Sequence, residues 1–148
     1  MNYNPILIVS GEPNSIFLEI YFKILKKNKF KSPLILISSE RLLRLQMEKL
    51  RFKKKIKNLD ISKLDQYKLN NSTINLINVK YNPKKAFEKI SKNSNRFLKE
   101  SFQVAFKILK KGKIKKFING PISKKKFLDK KFLGITEFIS SSFSIKNT

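Results

Sequence analysis

Two uninterrupted apolar runs, Pro5-Ile6-Leu7-Ile8-Val9 and Pro33-Leu34-Ile35-Leu36-Ile37, constrain this chain more than any other feature. A strand with one face in water alternates apolar and polar residues, and neither run alternates. Each therefore reads as a strand buried on both faces, the kind that lies in a parallel sheet between layers of helices. Ser10-Gly11-Glu12-Pro13-Asn14-Ser15 ends the first run as a turn, with Asn14 or Ser15 placed to cap a helix over residues 16–27. Ile16, Leu18, Ile20, Phe22, Ile24 and Leu25 give that helix a broad apolar surface, and Lys26-Lys27 suit its negative end. After the second run, Ser38 or Ser39 caps a helix over residues 40–50, with Leu42, Leu43, Leu45 and Met47 directed at the core. Strand, helix, strand, helix in this order argues for an α/β fold with right-handed crossovers.

Further along, Phe52-Lys53-Lys54-Lys55-Ile56 reads as a short exposed strand, and residues 61–69 as a helical turn or loop. Ile74-Asn75-Leu76-Ile77-Asn78-Val79 is a stronger strand, whose asparagines suggest a partly exposed or edge position. Asn82-Pro83 marks a turn. From there to Lys111 the pattern is helical with a break near residues 91–95, and Phe97, Leu98, Phe102, Ala105, Phe106 and Leu109 fall at core spacing. Plain packing accounts for these phenylalanines better than a platform for stacking bases. Gly112 is a suitable helix stop.

The richest stretch is Phe117-Ile118-Asn119-Gly120-Pro121-Ile122-Ser123-Lys124, followed by Gly134-Ile135-Thr136-Glu137. Its opening residues, 116–118, form a buried strand or a loop. Gly120-Pro121 then breaks the backbone. Ser123 can cap a short helix over residues 124–128, and Thr136 can cap a last helix with Glu137 near its positive end. Two helix N-termini opening after one strand would suit an anion. The same pattern also describes an ordinary strand–turn–helix junction, and Lys124-Lys125-Lys126 also reads as a solvated helix face.

A chain of 148 residues fits one domain. It has no cysteine, no leader-like N-terminal segment and no apolar run near the ~20 residues that span a bilayer, which together suit the cytoplasm. The net charge is +24, and only Arg41, Arg44, Arg51 and Arg96 among the basic residues are arginine. Lys, Asn, Ile and Phe are abundant together, as A/T-rich codons would make them. Nucleic-acid surfaces favour arginine for its bidentate fork, so drift in composition explains the charge better than a nucleic-acid footprint. A small basic nucleic-acid-binding protein is the alternative reading, and a non-catalytic remnant is a third.

The run N-G-P-I-S-K, then G-I-T-E-F, resembles the T-G-P-I-x-K … G-H-T-E-F block of the 4-hydroxythreonine-4-phosphate dehydrogenase family of pyridoxal phosphate biosynthesis. Residues 8–16, I-V-S-G-E-P-N-S-I, resemble the family's opening G-[DE]-P-A-G-I-G-P-E. The resemblance spans the chain and matches about the first half of a family member. It implies a single truncated α/β unit over residues 1–148, part of an isocitrate/isopropylmalate dehydrogenase-like architecture with a parallel-rich sheet. It further implies NAD-dependent, metal-assisted oxidation of a phosphorylated hydroxy amino acid, carried out by a homodimer. Thr136 and Lys124 match the family's substrate-binding Thr and motif Lys, whereas Ile135 stands where the family has a His. Losing such a hydrogen-bonding group costs ~1–3 kcal/mol. The family's three metal-binding histidines have no counterpart, since the chain contains no His, and Glu12, Glu19, Asp129 and Glu137 do not assemble a metal site by spacing. On this reading the chain alone is inactive.

Overall fold

The first apolar run is β1 (Ile6–Val9) and the second is β2 (Leu34–Ser38), paired in parallel from Ile6 opposite Leu34 to Val9 opposite Ile37. The computed structural model describes residues 3–27, 30–128 and 131–143. Between and after these strands come α1 (Phe17–Lys27) and α2 (Glu40–Lys49). Next are β3 (Ile56–Asn58), a short 3-10 turn (Ile61–Gln66) and β4 (Ile74–Asn78). The chain continues through α3 (Lys92–Lys110), β5 (Lys116–Asn119), α4 (Lys124–Phe127) and α5 (Ile135–Ser142). The five strands form one sheet in the order β3-β4-β2-β1-β5, and every pairing is parallel. This is the α/β architecture that the unbroken apolar runs require, since Leu7, Val9, Leu36 and Ile37 are all fully buried.

Helices cover the two faces unequally. Phe117 of β5 meets Phe102 of α3 edge to face, so α3 lies on the face to which Leu7, Val9 and Phe117 point. On the other face, Ile6, Ile8 and Ile118 line a groove with α1. A buried side of α1, formed by Leu18, Tyr21, Phe22 and Leu25, closes the core there, and Phe22 stacks on Phe52 with ring centroids 4.7 Å apart.

Several expectations change. β4 is interior, not an edge. Asn75 is buried because its Nδ2 donates to the carbonyls of Leu34 (3.0 Å) and Asn70 (2.8 Å), which satisfies a polar group inside the sheet. Asn78 is exposed at the strand end, where its Oδ1 accepts the backbone N–H of Glu40 at 2.8 Å and helps cap α2. Phe52 is drawn into the core, so the strand expected over residues 52–56 forms at 56–58 instead. Residues 82–90 are not helical, and α3 starts only after Ser91, whose side chain and that of Ser94 form a reciprocal capping box. β5 is an edge strand, with Lys116 exposed and Ile118 46% exposed, not a strand buried on both faces. Gly134, not Thr136, is the N-cap of α5. Gly112, with φ +79°, terminates α3 as expected.

Candidate functional site

β1 has β2 on one side and β5 on the other, so the chain's progress across the sheet reverses there. Beyond the carboxyl ends of two such strands the loops diverge and leave a crevice, the usual ligand site of open parallel sheets. The two motif-bearing turns meet at this point. The backbone N–H of Glu12 donates to the Pro121 carbonyl at 2.7 Å, and that of Gly120 donates to the Val9 carbonyl at 2.7 Å. The approach is so close that only glycine fits. A Cβ on Gly11 (φ +76°) would lie 2.5 Å from the Pro121 oxygen, and one on Gly120 would lie 2.1 Å from the Ser10 oxygen. Beneath them, the Ser10 hydroxyl donates to that of Ser38 at 2.9 Å.

Glu12 sits inside this junction, 6% exposed. Its Oε1 accepts the backbone N–H of Ser123 at 3.2 Å, whereas Oε2 is buried without a partner. Burial pushes its carboxyl above the ordinary value, partly offset by the Ser123 N–H and the positive charge of Lys126. Burial also raises the Tyr81 phenol, with the negative charges of Glu88 and Glu12 adding to the shift. Gln46 is fully buried and donates from Nε2 to the carbonyls of Pro13 (2.8 Å) and Ala86 (3.0 Å). Asn95, on α3, donates to the Lys126 carbonyl at 3.4 Å. Gln46 Oε1 and Asn95 Oδ1, like Glu12 Oε2, are buried acceptors with no partner. Sequence reasoning missed both amides. Gln46 had a signal, since it falls between Leu43 and Met47 on the buried side of α2.

Ser123 caps α4 as expected, accepting the Lys126 N–H at 3.3 Å. Lys124 is exposed at the start of α4, and it is Lys126 whose charge reaches Glu12. Ile135 begins α5 and packs against the core, whereas Thr136 is exposed in the first turn. The two helices are joined by Phe127 and Phe138, whose rings meet edge to face at 5.4 Å. Among the described residues no side-chain hydrogen bond links Lys124 to Thr136.

Among the described residues no three His, Cys, Asp or Glu side chains converge as metal ligands, and Glu19 is paired with Lys23 at 3.1 Å on α1. Asp129 lies outside the described residues. The turn after β1 does not fit a dinucleotide pyrophosphate, because the space that a glycine opens at residue 11 is filled by the Pro121 backbone.

A parallel α/β sheet with Gly-Pro turns sealed together at its switch point defines the class. The family model described as pyridoxal phosphate biosynthetic protein PdxA matches residues 29–148, and the chain belongs to that family. Among solved structures, a 4-hydroxythreonine-4-phosphate dehydrogenase from Burkholderia phymatum is similar over 99% of this chain and 46% of its own, with 17% identity and a TM-score of 0.80. One from Klebsiella pneumoniae is similar over 94% of this chain and 44% of its own, with 16% identity and a TM-score of 0.79. The chain thus spans about half the length of the solved structures it matches. No curated protein matches its sequence.

Proposed function

We propose that this chain supplies the substrate-holding side of a dehydrogenase site for 4-hydroxythreonine 4-phosphate or a close relative, and that it does not turn substrate over by itself. The observation that carries this reading is the sealed junction of the Gly11-Glu12-Pro13 and Gly120-Pro121 turns at the β1–β5 switch point. A rigid backbone seal there fixes the start of α4 and, through Phe127 and Phe138, the start of α5. Family membership supports a substrate of this class. In this role Lys124 offers a cation to the phosphate or carboxylate, and the Thr136 hydroxyl hydrogen-bonds the substrate. Ile135 takes the place of the family's His and contributes only apolar contact, so binding is weakened. No three metal-ligating side chains converge among the described residues, so on this reading the divalent metal draws on other groups.

The test separates binding from turnover. Calorimetry with 4-hydroxythreonine 4-phosphate should show weak binding that is lost in Thr136→Val and Lys124→Ala. Assays of NADH formation with NAD and a divalent metal should show no turnover by the pure chain. Metal-dependent NADH production would overturn the inactivity, and the absence of any binding would overturn the site.

A further inference from the structure

A cavity of about 320 Å3 lies beyond the carboxyl end of β4, between residues 80–82 and the first turns of α3. Its size is that of a site for a small molecule. Charges of both signs line it, with Lys80 and Arg96 as cations and Glu88 and Glu100 as carboxylates. The chain has only 10 acidic residues among 148, so two in one cavity are a local feature and not a share of its general basic charge.

Several of these groups have bonding capacity to spare. Tyr81 lines the cavity and is 6% exposed, with its ring stacked on Phe97 at 5.0 Å. Its backbone carbonyl accepts the Ser39 hydroxyl, but its phenol makes no hydrogen bond among the described residues. Buried polar groups are ordinarily paired, so this donor calls for an acceptor. Burial and the negative charge of Glu88 keep the phenol protonated. Glu88 Oε1 accepts the backbone N–H groups of Lys84 at 2.6 Å and Lys85 at 3.1 Å, which fixes the carboxylate and leaves Oε2 unbonded among the described residues. Arg96 and Glu100 stand four residues apart on α3, with the cation first, the weaker order for pairing. Neither forms an ion pair among the described residues.

The mixture of signs selects the ligand. A simple anion would face two carboxylates, and a metal ion would face Arg96 and Lys80, whereas a zwitterion meets both signs. We propose that this cavity binds a free α-amino acid, with its carboxylate held by Arg96 and the Tyr81 hydroxyl and its ammonium by Glu88 and Glu100. Ser91 and Asn93 remain on the lining for a polar side chain. The site uses neither Lys124 nor Thr136, so it does not depend on the proposed substrate site.

The experiment titrates the full chain with L-glutamine. The controls are L-glutaminamide, which lacks the carboxylate, and 4-carbamoylbutanoate, which lacks the ammonium. Amide shifts in NMR spectra should saturate with L-glutamine, concentrate at residues 80–100 and give an affinity at least tenfold above that of either control. Tyr81→Phe, Arg96→Gln and Glu100→Gln should each weaken binding at least fivefold with unchanged thermal melts. Thr136→Val should leave it unchanged, which separates this cavity from the proposed substrate site. No saturable binding, equal affinity for either control, shifts concentrated elsewhere, or loss of binding in Thr136→Val would each overturn the proposal.

Discussion

The backbone N–H of Glu12 donates to the Pro121 carbonyl oxygen at 2.7 Å, fastening the turn after the first strand to the turn after the last. Around this bond, Gly11 and Gly120 differ from the left-handed Gly112 in what surrounds them. Gly120→Ala would push a Cβ to 2.1 Å from the Ser10 oxygen, against backbone that cannot swing away. Gly112, at φ +79°, has nothing within 4 Å and stands only on its dihedral. Urea unfolding should therefore show Gly120→Ala costing about 3 kcal/mol or more, and Gly112→Ala about 1 kcal/mol. Equal effects would show that the junction yields.

Glu12 sets a pH dependence of stability. The unfolded chain releases its proton near the ordinary value of 4.5, whereas burial makes the folded protein hold it to higher pH. The stability this proton contributes is complete below 4.5 and is lost as pH rises through the raised value. Glu12→Gln keeps an acceptor for the Ser123 N–H and carries no charge. The variant should match the parent in acid and become the more stable of the two as pH rises to neutrality. Chemical denaturation across a pH series measures this, and a difference that stays constant with pH would contradict it.

Asn75 is the polar residue on which the centre of the sheet depends. Replacing it with alanine leaves the Leu34 and Asn70 carbonyls without their donor. The expected loss is about 2 kcal/mol in unfolding free energy. Asn78→Ala, which removes an exposed helix-capping acceptor, should cost about 1 kcal/mol or less. Denaturant midpoints with unchanged slopes would report both, and a reversed ranking would reject this account of β4.

Ile135→His should strengthen binding of the phosphorylated substrate about tenfold, a gain of ~1.4 kcal/mol. The substitution places a ring N–H in the first turn of α5, beside Thr136. Calorimetry on the two proteins makes the comparison, and unchanged affinity would remove Ile135 from the site.

Binding to DNA should be weak, indifferent to sequence and steeply reduced by salt. The basis is a charge of +24 carried mostly by lysine along the whole chain. Anisotropy with two unrelated duplexes at several ionic strengths tests this. Preference for one duplex at physiological salt would favour the nucleic-acid reading.

The sequence revealed the fold wherever one physical rule acted alone. Uninterrupted Ile, Leu and Val could only be strands covered on both sides, and Ser123 and Ser39 could be read as caps because capping is local. It misled where a distant partner reversed a local preference. Asn75 looked like an edge residue because the carbonyls that satisfy it come from Leu34 and Asn70. Phe52 looked like strand until Phe22 gave it a stacking surface. The site was legible as two motifs but not as one junction. No spacing rule says that Gly11 and Gly120 press against each other's loops, or that Glu12 is the carboxylate enclosed between them.

The seal between the two turns is built of main-chain atoms, with glycine where a side chain would intrude. Because main-chain atoms set the distance between the turns, side chains around the seal can change in chemical character without altering it. A shape held this way is inherited separately from the reactivity mounted on it. The frame of this chain accordingly matches that of the Burkholderia phymatum enzyme at a TM-score of 0.80 although the two are only 17% identical.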